Sequence, residues 1–159
     1  YLDFTAIEEI SLMKQRIDRS QRARRKEDDD IKLGKGGIRE IEFFVQALQL
    51  IHGGKFPVLQ CRSTLSALSR LGKAAIIPPE DVKILREAYL FLRRLEHRIQ
   101  LVHQRQTQRL PAAADEKDRI ARSLGFSGKN EVPVKLLAQT LERHREQVHR
   151  LYNRLFYTP

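Results

Sequence analysis

Apolar residues recur every three or four positions through most of the chain, which is the spacing of one face of an α-helix. The first such stripe predicts a helix from about Asp3 to Arg25. The second predicts a helix from Ile38 to His52, which Gly53 and Gly54 end. No segment alternates apolar and polar residues with the period of a β-strand, so the pattern favours helices throughout.

Four further helices follow from the same pattern. One is predicted over Arg62–Leu71 and is closed by Gly72, and the next runs from Glu80 or Asp81 to about Gln104 after two prolines. The last two are predicted over Asp115–Leu124 and from Pro133 to beyond Leu151. We therefore predict an all-α bundle of five to seven helices, in which three long helices pack roughly antiparallel.

Length and composition fit one domain that covers residues 1–159, since 41% of the residues are hydrophobic. A single cysteine, Cys61, excludes an internal disulfide and a zinc site built from cysteines. No apolar run approaches the roughly 18 residues of a membrane span. We expect a cytoplasmic domain without a membrane partner, and we expect Tyr1 to be a boundary inside a longer protein.

The formal net charge of +10 raises the question of a nucleic-acid partner. The densest basic run, Lys14–Lys26, is followed at once by the acidic run Glu27–Asp30, which would repel a phosphate backbone. Aromatic residues do not alternate with the basic ones as a stacking surface requires. Solvated helix faces explain the charge, and we predict no specific nucleic-acid partner.

Residues 26–37 form a predicted loop that is first acidic and then rich in glycine. We expect its three consecutive aspartates, Asp28–Asp30, to stay solvated. The loop leads into the Ile38–His52 helix, and the N-terminus of a helix attracts anions because its first N–H groups lack internal partners. A cation in the first turn opposes the helix dipole, so Arg39 suggests another use. We predict a phosphate or substrate site at Gly36, Gly37, Arg39 and Lys35.

Glu40 falls inside the apolar arc of this helix, whereas Glu42 lies on the polar side. A carboxylate in an apolar arc needs a partner. Glu40 could fold back onto the N–H of Gly37 as a capping-box glutamate, pair with an arginine such as Arg94, or shape a substrate cleft. These alternatives stay open, and Glu40, Glu42 and Arg94 are the predicted structural or cleft residues.

Catalytic chemistry is not evident in the chain itself. His144 and His103 lie on or beside apolar stripes, where satisfied core or edge histidines are common, and His52 suits a helix C-terminus. No spacing of acidic residues indicates a metal site, and no nucleophile has an adjacent base. We predict no catalytic residue and no metal ligand in this stretch.

Four sequence blocks carry a family resemblance: Lys32–Phe44, Leu50–Gly54, Leu59–Ser63 and Tyr89–Glu96. In this order they resemble the helical segment that follows a nucleotidyltransferase domain in the bifunctional glutamine synthetase adenylyltransferase and adenylyl-removing enzyme. The related PII uridylyltransferases share a looser version with Gly-Gly-Leu-Arg-Asp. Ile38, Glu40 and the Glu42-Phe43 pair favour the adenylyltransferase.

The resemblance implies a helical cleft or linker domain of a larger multidomain nucleotidyltransferase that regulates nitrogen assimilation. Arg39 and Glu40 favour the half that removes AMP from glutamine synthetase by phosphorolysis. The implied cofactors of the parent enzyme are Mg²⁺ and ATP, ADP or phosphate, none of them bound by this fragment alone, which is expected to be inactive. The implied partners are glutamine synthetase, the PII signal protein and the upstream nucleotidyltransferase domain. A PII uridylyltransferase domain and a stand-alone basic nucleic-acid-binding module are the alternatives.

Overall fold

The computed structural model describes residues 30–103 and 107–157, together with the single positions 9, 12 and 15. This part of the chain contains five α-helices, which are α1 (Ile38–His52), α2 (Thr64–Lys73), α3 (Pro79–His103), α4 (Ala114–Ser123) and α5 (Val132–Tyr157). A 3₁₀ turn, Pro57–Leu59, connects α1 to α2. Most of the predicted helix Asp3–Arg25 lies outside the described residues, although Glu9, Leu12 and Gln15 are helical.

The all-α prediction is confirmed. The described residues contain no strand, and their only β-type pairing is an isolated bridge between Asp30 and Arg109. None of the helices in the described ranges combines the length and the apolar character that crossing a membrane requires.

The two longest helices, α3 and α5, run antiparallel. Asp81 near the start of α3 pairs with Arg154 near the end of α5, whereas Phe91, ten residues further along α3, stacks on His144, ten residues earlier in α5. By contrast, α1 and α5 run in the same direction, because Glu40 contacts His149 and Phe43 contacts Tyr152 and Phe156.

One hydrophobic core joins the helices. Removing its apolar side chains from water supplies the main driving force for folding. Its fully buried members include Ile31, Ile38, Ile41, Leu59, Leu68, Leu71, Leu85, Leu92, Leu95, Ile99 and Ile120. Ile31 precedes α1, so the loop before this helix is anchored in the core.

The prediction that Gly72 closes the third helix is wrong. The α2 helix continues through Gly72 to Lys73, and the residue that leaves the helix with a positive φ of 54° is Ala75. Gly72 has a packing role instead, because a Cβ atom there would lie 2.7 Å from Cγ2 of Val82 in α3. The glycine therefore lets α2 approach α3 closely.

Candidate functional site

The loop before α1 is a folded turn. Asp30 is 8% exposed, and its Oδ1 accepts hydrogen bonds from the backbone N–H groups of Lys32 at 2.9 Å and Leu33 at 2.8 Å. The expectation that this aspartate is solvated is therefore wrong, because a carboxylate that satisfies turn N–H groups is held against the backbone. Asp28 and Asp29 lie outside the described residues.

The first backbone N–H groups of α1 have partners within the chain. Ile38 N–H donates to the carbonyl of Ile31 at 3.2 Å, and Arg39 N–H donates to that of Lys32 at 3.0 Å. Glu40 N–H donates to the carbonyl of Gly37 at 3.1 Å. An anion near this terminus would therefore meet side chains rather than unpaired N–H groups. The predicted role of this segment in phosphate binding stays a prediction, and it now concerns the side chains.

Gly36 lies against the last helix. Its φ is +69°, in the left-handed region, and a Cβ atom at this position would overlap the backbone of Arg145 in α5. The Arg145 Nε–H group in turn donates to the carbonyl of Lys35 at 2.7 Å. Gly36 and Gly37 are both buried, so the glycine turn is where the loop docks onto α5.

Glu40 is engaged by the last helix. Both of its carboxylate oxygens lie 3.1 Å from Nδ1 of His149. Its side chain is 19% exposed. The Gly37 N–H, which a capping-box glutamate would bind, donates to the carbonyl of Gly34 at 2.9 Å. The partner proposed from sequence, Arg94, is exposed on α3, so His149 corrects that hypothesis.

The second ring nitrogen of His149 also has a neighbour on α5. Nε2 of His149 lies 2.9 Å from the amide nitrogen of Asn153, which can only donate a hydrogen bond. When this amide nitrogen donates, Nε2 accepts, and the Nδ1–H group of that tautomer donates to Glu40. Glu40, His149 and Asn153 form one chain of hydrogen bonds that ties the first turn of α1 to α5.

The rest of the Lys32–Phe44 block, which we call the motif, also packs against neighbouring helices. Glu42 accepts a hydrogen bond from the Tyr89 hydroxyl of α3 at 3.4 Å. The ring of Phe43 lies 6.4 Å from that of Tyr152 and 5.6 Å from that of Phe156, as measured between centroids. The two cations of the predicted site, Lys35 and Arg39, are by contrast exposed. The fold thus buries Gly36 and Gly37 and leaves the charged side chains of Lys35 and Arg39 exposed to solvent.

Sequence reasoning missed the α5 residues that hold the motif, namely Arg145, His149 and Asn153. They follow each other at intervals of four residues, so they form one line along the helix. A polar line next to an apolar stripe is a signal that a second buried contact exists. It does not identify the segment that fills the contact, because that segment is more than one hundred positions away, as in the pair His149 and Glu40.

His144 is buried, as predicted, but it is not fully satisfied. It is 7% exposed and its ring lies 4.9 Å from that of Phe91. Its Nδ1 has no hydrogen-bond partner within the described ranges. Burial lowers the pKa of His144 below its usual value, and Arg143 lowers it further, whereas Glu87 opposes the shift.

The described residues do not bring together a ligand set for a metal ion. Among them, no group of three or more His, Cys, Asp or Glu side chains is suitably placed. The Mg²⁺ implied by the family resemblance therefore does not fit a site built from this part of the chain alone.

Together these features define an all-α domain in which a buried glycine turn and a helix N-terminus are held by the last helix. The chain belongs to the family described as GlnD PII-uridylyltransferase, whose sequence model it matches over residues 10–156.

Three curated relatives share the name bifunctional glutamine synthetase adenylyltransferase/adenylyl-removing enzyme, which confirms the resemblance found in the motifs. Those of Stenotrophomonas maltophilia strains K279a and R551-3 are 51% and 55% identical over 87% and 79% of this chain. That of Nitrosomonas europaea is 44% identical over 98% of the chain. The matched parts cover only 13–16% of the relatives' own lengths.

Proposed function

We propose that this domain belongs to an enzyme that adds AMP to glutamine synthetase and removes it, and that it lies in the adenylyl-removing half, directly after the nucleotidyltransferase domain. The observation that carries the proposal is the identity of 44–55% to relatives with this name. In the proposed reaction, phosphate attacks the phosphorus of a tyrosine-bound AMP. The bond to the tyrosine oxygen breaks, and ADP and the free tyrosine hydroxyl are formed.

In this proposal the domain contributes one wall of the cleft. Lys35 and Arg39 are exposed next to the glycine turn, and neither forms an ion pair within the described residues. Their positive charges would attract phosphate or the phosphoryl group of AMP, and a charge-assisted hydrogen bond would orient it. The buried turn and the Glu40–His149 contact would keep the two side chains in place. The carboxylates of the upstream domain would supply the Mg²⁺ site, and PII would act on the parent enzyme.

A second candidate function follows from the description of the family, which names PII uridylyltransferase. A domain of this kind would serve transfer of UMP from UTP to the PII protein. The purified full-length enzyme distinguishes the two functions when it is supplied either with ATP and glutamine synthetase or with UTP and PII. Incorporation of labelled UMP into PII, without modification of glutamine synthetase, would favour the second candidate.

The role of Arg39 is tested by an Arg39→Ala substitution in the full-length enzyme. We expect phosphate-dependent removal of AMP to slow about tenfold or more, because a charge-assisted contact contributes about 1.5–3 kcal/mol. Addition of AMP by the other half should change much less. The melting temperature should stay the same or rise slightly, since a cation in the first turn of a helix costs about 0.3–1 kcal/mol.

Arg150→Ala is the matched control, because Arg150 is also an exposed arginine but lies on α5. The 159-residue chain alone serves as the negative control, and we expect it to release no ADP. If Arg39→Ala removes AMP at the rate of the Arg150→Ala enzyme, the motif has a structural role and no direct contact with the substrate.

A further inference from the structure

One side of α3 exposes basic and apolar residues together. At 100° per residue, the exposed positions between residues 86 and 101 that share one side of the helix fall within an arc of about 100°. We call them the α3 outer face, and they are Arg86, Leu90, Arg93, Arg94, His97 and Leu101. The face contains no acidic residue, and at 1.5 Å per residue it extends over about 22 Å. Leu90 is 38% exposed and Leu101 is 58% exposed.

Contacts among the described residues do not account for these charges. Several exposed cations on α4 and α5 are paired within their own helix, as in Arg119–Asp115, Arg122–Asp118 and Lys135–Glu131. On the α3 outer face Arg93 has such a partner among the described residues, the buried Glu96. Arg86 and Arg94 form no ion pair with any described residue.

Local helix electrostatics also fail to explain the face. Arg94 and Arg98 are both exposed and stand four residues apart, which places like charges next to each other at a small cost in helix stability. The helix dipole favours cations only within the last turn, and α3 continues to His103. The arrangement is therefore mildly unfavourable for the free domain, and a partner of opposite charge would relieve it.

The positions of the leucines indicate the shape of that partner. Leu90, Arg94, His97 and Leu101 follow the spacing i, i+4, i+7 and i+11, which is the seam along which two helices pack. Leucines with cations between and beside them complement an amphipathic helix whose apolar line is flanked by Asp or Glu. We propose that the α3 outer face docks an acidic amphipathic helix of another protein.

Two other occupants fit the face less well. A second copy of the chain carries the same net charge of +10 and would be repelled. A nucleic acid would use the cations, but it would bury Leu90 and Leu101 against sugar and phosphate, and the face has no exposed aromatic side chain on which bases could stack.

The test uses the 159-residue chain and a labelled synthetic peptide of about four heptads, with Leu at the a and d positions and Glu at the flanking positions. Fluorescence anisotropy at about 0.15 M salt measures the binding, and this ionic strength suppresses contacts that rest on unspecific surface charge. We expect Arg94→Glu to raise Kd about tenfold or more and Leu101→Ser to raise it about threefold or more. Arg150→Glu on α5 is the matched control and should change Kd less than about twofold.

A peptide of the same composition with shuffled leucine positions should bind at least about tenfold more weakly, because the apolar seam is lost. Circular dichroism verifies that each variant is folded. The proposal is overturned if the two peptides bind equally, if Arg150→Glu weakens binding as much as Arg94→Glu, or if duplex DNA competes for the face more strongly than the patterned peptide. A mass increase to a dimer on sedimentation, lost in Leu101→Ser, would assign the face to self-association and would also overturn it.

Discussion

Replacement of Gly36 by alanine should destabilise the domain strongly, because two costs coincide at this residue. A non-glycine residue in the left-handed region loses about 1–2 kcal/mol. In addition, the new Cβ atom would overlap the backbone of Arg145, which cannot rotate away as a flexible side chain could. Forced overpacking of this kind typically costs about 1–3 kcal/mol.

The sum is about 2–5 kcal/mol, and for a chain of this length each kcal/mol lowers the melting temperature by about 2–4 °C. We therefore expect Gly36→Ala to lower the melting temperature of the 159-residue domain by about 4–20 °C. Circular dichroism at 222 nm, where α-helices give a negative band, measures this change. Urea unfolding would give the change in free energy directly.

Two other glycines separate the contributions. Gly125 also has a positive φ, of 93°, but a Cβ atom there would meet nothing within 4 Å. Gly125→Ala should thus show only the conformational cost of about 1–2 kcal/mol. Gly54 combines ordinary backbone geometry with open space, and Gly54→Ala should be neutral or stabilising by up to about 1 kcal/mol. Equal losses in Gly36→Ala and Gly125→Ala would refute the close approach to α5, and an unchanged Gly36→Ala protein would refute the turn itself.

Two further predictions concern buried contacts of α5. A double-mutant cycle with Glu40→Ala and His149→Ala, measured by urea unfolding, should give a coupling energy of about 1 kcal/mol. This is less than a fully buried charged hydrogen bond contributes, because both side chains keep some contact with water. If the two losses of stability simply add, the contact is excluded. The lowered pKa of His144 means that, as the pH falls below the unfolded value of 6.5, the unfolded chain takes up a proton before the folded one does, and stability is lost until the folded pKa is reached. His144→Leu should reduce this loss of stability between pH 7.5 and 5.5 relative to wild type. The pKa of His52 is also lowered, by burial and by Lys55, so His52 should contribute to the loss of stability that remains in the variant. An identical pH dependence of stability in wild type and His144→Leu would show that His144 does not titrate in this way.

The pattern of apolar residues was sufficient to predict most of the fold. The bounds of α1, Ile38–His52, follow from its stripe and from the glycines that flank it, and Pro79 and Gly125 lie at the start of α3 and just beyond the end of α4 as their local chemistry predicts. Gly72 misled the prediction because a glycine that ends a helix and a glycine that admits a neighbouring helix look the same in one sequence. Only the position of Val82 separates the two.

The predicted site residues stay a prediction, although the structure shows where they lie. The exposure of Lys35 and Arg39 agrees with a role in binding a charged group, and that role remains a prediction. General helix chemistry predicts free N–H groups at the start of α1, whereas in the structure these groups donate to the backbone carbonyls of Ile31, Lys32 and Gly37. Whether those groups are free depends on how the preceding loop folds back, which a helix pattern does not contain.

Features that depend on neighbours in the chain could be predicted from the sequence: the helices, most of their ends, and the likeness of the Lys32–Phe44 block to a known family. These features are local, because helix hydrogen bonds and caps join residues only a few positions apart. Tertiary structure alone decided that Glu40 meets His149, that Gly36 rests on the Arg145 backbone, and that Arg94 faces outward. Those outcomes depend on which helix faces pack together, and the same amphipathic stripe is compatible with several partners until packing of the whole core selects one.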